Sequence, residues 1–351
     1  MIKLKNLSIL FFSFLLSLSI SAETIRHYLL KNPNSIVLNQ VAENFEIVKR
    51  SGDDFEVYVL AEKSKLFEGI AKKYTLISAD VNASLKDEQL TNQYKDYSGV
   101  THFLGDLVRT QSRSFSEIEY GKSSTGNSLK AYVFNPFQLE SHLAKKILIT
   151  AATHGDELVT VEVLLAHIKT MVENFSTDQR LQNALKDKVI YFIPVVSPDS
   201  FNKRQRYVEG RDPNRAYPWP ENENLRQRVG VIDQLMSYFQ QEKFYSSLDL
   251  HAYGEMVMYP WGYTTKAPDS AVKTVFDQAV FDMSRENNYK HGQISSTIYV
   301  AKGNSADFYF WKYKTFALAA EIGKEKIPNY AKIPQYVNET KEMMYRYFEA
   351  F

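Results

Sequence analysis

The stretch ILITAATHGDELVTVEVLLAHIKTMV, residues 147–172, changes its period in the middle. ILITAA (147–152) is uncharged and has the length of a buried strand. After His154-Gly155-Asp156-Glu157, apolar residues recur at Leu158, Val161, Leu165, Ile168 and Val172, the spacing of one helix face. A buried strand that feeds a helix is half of a βαβ unit, so this segment points to an α/β fold.

The pattern repeats along the chain. VIYFIPVV (189–196), SLDL (247–250) and TFALAA (315–320) are further runs of strand length between amphipathic helical segments. The expected architecture is a mixed, mostly parallel twisted sheet covered by helices on both faces. Upstream, FEIVKR, the turn signal SGDD and FEVYVLA predict a hairpin; KSKLFEGIAKK predicts a helix and YTLISADV a third strand. These make a small α+β unit over 23–88. The polar segment from Ser84 to Gly99 is expected to link it to a larger domain at 89–351. Residues 1–22, with two lysines, an apolar run from Leu7 to Leu18 and small residues ending at Ala22, have the form of a secretory signal peptide cleaved before Glu23. That predicts a secreted or periplasmic protein with no stable membrane insertion after cleavage.

Composition narrows the chemistry. Forty-two Lys and Arg against 41 Asp and Glu leave a formal charge of +1, which gives no reason to expect nucleic acid as a partner. The chain has no cysteine, which excludes disulfides, a thiol nucleophile and a thiolate metal site. A transition metal must be held by His, Asp and Glu.

Ligand sites in such sheets lie beyond the carboxyl ends of strands. There the sequence places His154 and Glu157, then Arg206 and RDPNR, then His251, then Glu321. Two histidines and a carboxylate are a usual set for a catalytic zinc that keeps a fourth position for water. Taken singly, each residue has a plainer reading. Glu157 suits a helix start, Asp212-Pro213-Asn214 is turn chemistry, and Glu321 could pair with Lys324 or Lys326. Arg204, Arg206, Arg211 and Arg215 could form a solvated loop. A metal-bound imidazole, however, needs a partner for its other N–H, which Asp212 can be, and a buried Glu321 beside a metal suits a general base.

With these residues in place, 94–351 resembles the zinc carboxypeptidases of the pancreatic carboxypeptidase A type. THGDE is similar to the family's His-x-x-Glu pair, and LDLHAYGEMVMYPWGY to the stretch that supplies its second histidine. SPDSFNKRQRYVEGRDPNRAYP is similar to its Asn-Pro-Asp-Gly segment followed by Arg and Asn-Arg. IYVAKGNSADFYFWKYKTFALAAE resembles the closing block, in which a mobile tyrosine precedes the catalytic glutamate; EYGKSSTGNSLKAYVF resembles the first strands, and 23–88 a prodomain. The resemblance implies one zinc per chain held by His154, Glu157 and His251, with Glu321 as general base and Arg206 at the oxyanion. It also implies that Asn214 and Arg215 bind the substrate's terminal carboxylate, that Tyr299 closes over the site, and that Asp212 orients His154.

Three departures carry their own expectations. Asp156 stands where the family often has arginine, so a positive subsite wall is missing or reversed. Ser197 and Ser200 replace Asn and Gly and should alter the turn more than the chemistry. Ala306 falls where the family's basic-cleaving and apolar-cleaving members differ, and it argues against an acidic pocket floor, although Asp249 could supply an acidic wall or accept a hydrogen bond from His251. His27, His102, His142, His167 and His291 are read as ordinary, with His291 the strongest exception because it lies near Ile294–Tyr299.

The implied activity is hydrolysis of the C-terminal peptide bond of a peptide with a free carboxylate. The alternatives are trimming of cell-wall stem peptides, deacylation of acylated amino acids, and a non-catalytic binding protein on the same fold. The small unit is expected either to cover the cleft until the linker is cut or to serve as a permanent accessory.

Overall fold

A computed structural model describes residues 24–81, 92–140, 142–224 and 228–351. The expected signal peptide at 1–22 and the first half of the expected linker, 84–91, lie outside the described residues. The first sheet is antiparallel, in the order β2-β3-β1-β4, built from β1 (Ile25–Leu30), β2 (Glu46–Ser51), β3 (Asp54–Leu60) and β4 (Tyr74–Ser78). Helices α1 (Ser35–Asn44) and α2 (Ser64–Ile70) accompany it, and Tyr28, Val41, Val57 and Phe67 form its apolar cluster. The hairpin, α2 and β4 stand where the sequence predicts them. β1 and α1 occupy 25–44, which sequence reasoning left unassigned.

The expected linker ends early. Asp96 accepts a hydrogen bond from the Gly99 N–H at 2.7 Å and so caps α3 (Tyr97–Thr110). Tyr94 donates to the Pro328 carbonyl at 2.6 Å, and Lys95 pairs with the buried Glu162 at 2.9 Å. Residues 94–99 therefore belong to the larger unit rather than to a free tether.

The second sheet runs β11-β10-β12-β9-β7-β8-β6-β5. Its strands are β5 (Phe115–Lys122), β6 (Ser128–Phe134), β7 (Lys145–Thr150), β8 (Lys188–Ile193), β9 (Ser246–His251), β10 (Met256–Tyr259), β11 (Lys290–Gln293) and β12 (Phe316–Glu321). The central four, β12-β9-β7-β8, are parallel, as the short apolar runs predict; β6 pairs antiparallel with β5 and β8, and β10 with β12. Ile147, Leu148 and Ile149 have no exposed surface because helices cover both faces of the strand. Helices α4 (Leu158–Asn174), α6 (Ser270–Ser284) and α8 (Ile333–Ala350) pack together, with α8 touching both of the others. Helix α5 (Gly230–Glu242) packs on β5, and α7 (Ser305–Tyr313) on β9 and β12; the two helices meet where Phe239 stacks on Tyr309.

The order of connections locates a site. From β7 the chain passes through α4 to β8 on one side, whereas from β9 it reaches β12 on the other. The crevice opens where such connections part, beyond the ends of β7 and β9.

His167 lies far from that crevice. It is buried between α4 and α8 with Nε2 2.8 Å from Thr340 Oγ1, and burial pulls its pKa down to about 4. Unfolded, the ring titrates near ~6.5. The folded value is the lower one, so its contribution is fully present above about pH 6.5 and is lost as pH falls towards 4, up to roughly 3 kcal/mol. Urea midpoints measured from pH 7 to 4 should therefore fall less steeply for His167→Gln than for the wild type. Parallel pH profiles would refute this assignment.

Candidate metal centre

The four parallel strands end at one rim. His154 follows β7, Glu157 immediately precedes α4, His251 is the last residue of β9 and Glu321 the last of β12. Register pairs Glu321 with His251, so the β9–β12 ladder itself fixes their separation. The turn after β7 packs against the short helix Pro198–Asn202: a Cβ at Gly155 would lie 2.2 Å from the backbone carbon of Ser200, so only glycine fits there. Ser197 Oγ donates to the Thr153 carbonyl at 2.8 Å, and Ser200 Oγ to the Ser197 carbonyl at 3.1 Å. The two serines shape this turn and make no contact with the ligand set in these bonds.

Candidate ligand atoms of His154, Glu157 and His251 all lie within 4.8 Å of one another, and the three residues are buried. Glu157 Oε1 is 2.8 Å from His154 Nδ1, and Oε2 is 3.1 Å from His251 Nδ1. On the far side of each ring a second carboxylate waits: His154 Nε2 is 3.0 Å from Asp212 Oδ1, and His251 Nε2 is 3.0 Å from Asp249 Oδ2. Each imidazole can donate at Nε2 and keep a lone pair at Nδ1 for a metal. Burial opposes charge on His251, but Asp249 and Glu157 outweigh it and raise its pKa well above the usual range. The cluster thus favours an added positive charge, and its N,N,O donors suit zinc with a position open.

Asp212 serves the turn and the ring together. Its Oδ1 also accepts from the Asn214 N–H at 2.8 Å, capping the 3-10 turn Pro213–Arg215, while Oδ2 accepts from Arg206 Nη2 at 3.2 Å. Arg206 donates to Glu157 Oε1 at 3.2 Å and is ion-paired with Glu46 of β2. Asn214 Nδ2 is 3.2 Å from His251 Nε2, and Arg215 Nη2 donates to the Tyr299 hydroxyl at 2.5 Å. Arg206, Asn214, Arg215, Tyr299, the three candidate ligands and Glu321 line one cavity. Burial pushes the Glu321 carboxyl up to about 7, as the nearby Glu157 also does, against the pull of His251.

Pleating explains the cavity's apolar wall. Ala319 and Glu321 share a face of β12, and register sets Met258 and Met256 beside them. Ile294, Ile298, Ala301 and Ala306 also line it.

Several expectations need correction. Asp249 is no pocket wall: it is buried behind His251, where it also accepts from Thr150, Thr153 and Ser305. Glu321 pairs with neither lysine, because Lys324 reaches Glu255 and Lys326 reaches Asp156 at 2.8 Å. The positive charge expected to be missing beside Glu157 is present on Lys326, with Nζ 3.9 Å from Glu157 Oε1. Arg204 bonds the Tyr94 and Lys95 carbonyls and Arg211 the Arg228 carbonyl, so only Arg206 and Arg215 of the four arginines line the cavity with the ligands. His291 is exposed on β11 against Phe281; neither it nor the four other histidines lines the cavity. Sequence reasoning missed Glu46, Ile47 and Val48 at the cavity wall, since nothing local links β2 to a loop 160 residues away.

Comparisons with known proteins bear on the family and the fold. The Zinc carboxypeptidase family profile matches residues 100–343. Mouse carboxypeptidase M is 24% identical over 291 residues, covering 73% of this chain and 65% of its own length; mouse carboxypeptidase A2 is 24% identical over 288 residues, covering 68% of each. The chain thus spans about two thirds of these curated relatives. Carboxypeptidase A from Helicoverpa armigera shares the fold, with a TM-score of 0.78 at 17% identity over 93% of this chain and 97% of that one.

Removing a carboxylate partner of a ligating imidazole typically costs 10–100-fold in metal affinity. Asp249→Asn should weaken zinc binding by about that factor in chelator competition, with the fold intact by circular dichroism. Unchanged affinity would show that Asp249 does not orient His251.

Proposed function

The chain belongs to the zinc carboxypeptidase family, and from that premise we propose that it hydrolyses the C-terminal peptide bond of peptides carrying a free carboxylate. The observation that carries this reading is the buried His154–Glu157–His251 cluster with Glu321 in register beside it. Zinc bound by these three residues supplies Lewis acidity, which polarises the scissile carbonyl and makes water acidic near neutral pH.

The chain's own residues divide the remaining work. Glu321, raised in pKa by burial, takes a proton from the attacking water and returns it to the leaving amine. Arg206 faces the oxyanion. Arg215 and Asn214 hold the terminal carboxylate, Arg215 by its forked N–H groups, and Tyr299 closes on that carboxylate from its present contact with Arg215. The apolar wall of Met256, Met258, Ile294, Ile298, Ala306 and Ala319 takes the released side chain, which favours a large apolar residue over Lys or Arg. Profiling the released residue on a peptide library that includes D-residues tests this, with at least a tenfold preference expected. A profile dominated by D-alanine would move the substrate to cell-wall stem peptides, and hydrolysis of acylated amino acids alone would move it to the deacylases.

Glu321→Gln should keep one zinc per chain yet lose at least a hundredfold in kcat, since general-base catalysis is typically worth ~10²–10⁴. Near-normal turnover would sink the mechanism.

We further read the N-terminal unit as a cover. Glu46 engages Arg206, and Ile47 and Val48 wall the cavity. Tyr253 donates to Glu56 at 2.7 Å, adding a second tie between the units. Turnover of peptides should rise at least tenfold when the chain begins near Tyr94 instead of Glu23; equal rates would make the unit an accessory. Export to the periplasm or outside the cell rests on residues 1–22, and among the described residues no helix is long and apolar enough to cross a membrane.

A further inference from the structure

Lys326 lines the same cavity as the candidate ligands, and nothing in the proposed reaction uses it. Its position is set twice. The Lys326 carbonyl accepts from the Val159 N–H at 3.1 Å, tying the loop after β12 to the first turn of α4, and Nζ donates to Asp156 Oδ2 at 2.8 Å. The side chain is only 10% exposed. An ammonium has three donors, and this one uses a single donor on Asp156; Glu157 Oε1, at 3.9 Å, is beyond hydrogen-bond reach. The cation instead faces the ring of Tyr58 on β3, 5.1 Å away. A buried ammonium with unused donors wants an acceptor, and that ring belongs to the unit read above as a cover.

Position and charge narrow the acceptor. Asn214, read above as a holder of the terminal carboxylate, is 3.2 Å from His251, whose Nδ1 is 3.1 Å from Glu157 Oε2, whereas Lys326 approaches Oε1. Lys326 therefore stands on the other side of Glu157 from Asn214, towards the part of the peptide on the amino side of the scissile bond. Its charge is already balanced by Asp156, which suits a neutral dipole better than a second anion. We propose that Lys326 is a substrate-binding residue that donates to the main-chain carbonyl preceding the penultimate residue, taking it in place of the Tyr58 ring. This rests on the carboxypeptidase reading.

The test uses zinc-loaded wild type, Lys326→Met and Lys326→Arg, each as the full chain and after limited proteolysis between the two units. Each is assayed on an N-acetylated dipeptide, which carries that carbonyl, and on the same dipeptide with a free amine, which lacks it. Lys326→Met should lose about tenfold in kcat/KM on the acetylated substrate, mostly through KM, and change less than twofold on the free one, with Lys326→Arg recovering most of the loss. An equal loss on both substrates, or no loss on either, overturns the proposal, the former making Lys326 a structural partner of Asp156. Failure of the wild type to release the C-terminal residue from either substrate would overturn the carboxypeptidase reading itself.

Discussion

The site is organised around a single carboxylate. Glu157 is met at one oxygen by His154 and Arg206 and at the other by His251 and the Ala252 N–H. A buried carboxylate with this many partners is fixed in place, and its pKa stays well below the usual range although burial alone would raise it. These partners come from three segments of the large sheet's rim, the ends of β7 and β9 and the arginine loop, so all three and the start of α4 must be in position before Glu157 is satisfied. The same requirement makes the cluster a good cation site: acidic groups surround two imidazoles whose outer nitrogens are already committed to Asp212 and Asp249.

Charge also explains how the small sheet meets the large one. Glu46 finds Arg206, Tyr58 lies over Lys326, and Glu56 accepts from Tyr253. Two of these contacts fall on cations that would otherwise look into the cavity. Strands β2 and β3 therefore meet the large unit through charged and polar side chains at the rim of the cavity.

The parallel core was legible because both faces of β7, β8 and β9 are covered, which leaves short, largely apolar runs that a sequence shows directly. His154, Glu157, His251 and Glu321 were legible because strand ends are where such sheets present polar groups. The roles of Asp156 and Lys326 were not, because their pairing joins positions 170 residues apart and no local pattern records it. Asp249 was left between two readings for a related reason: alternation along β9 shows that it points away from its neighbours, but only packing shows that Thr150, Thr153 and Ser305 enclose it. Glu46 was hidden because strand alternation says which residues turn inward, not what another unit will offer them.

The register between β9 and β12 sets Glu321 beside His251 on neighbouring strands. A slip of β12 by one residue would turn Glu321 to the opposite face of the sheet, away from His251. A chain whose sheet is misaligned can neither complete its cation site nor present its base there. On the proposed reaction, a copy with misaligned strands would be inert whatever its N-terminal unit does, and turnover itself would report that the central strands have been assembled correctly.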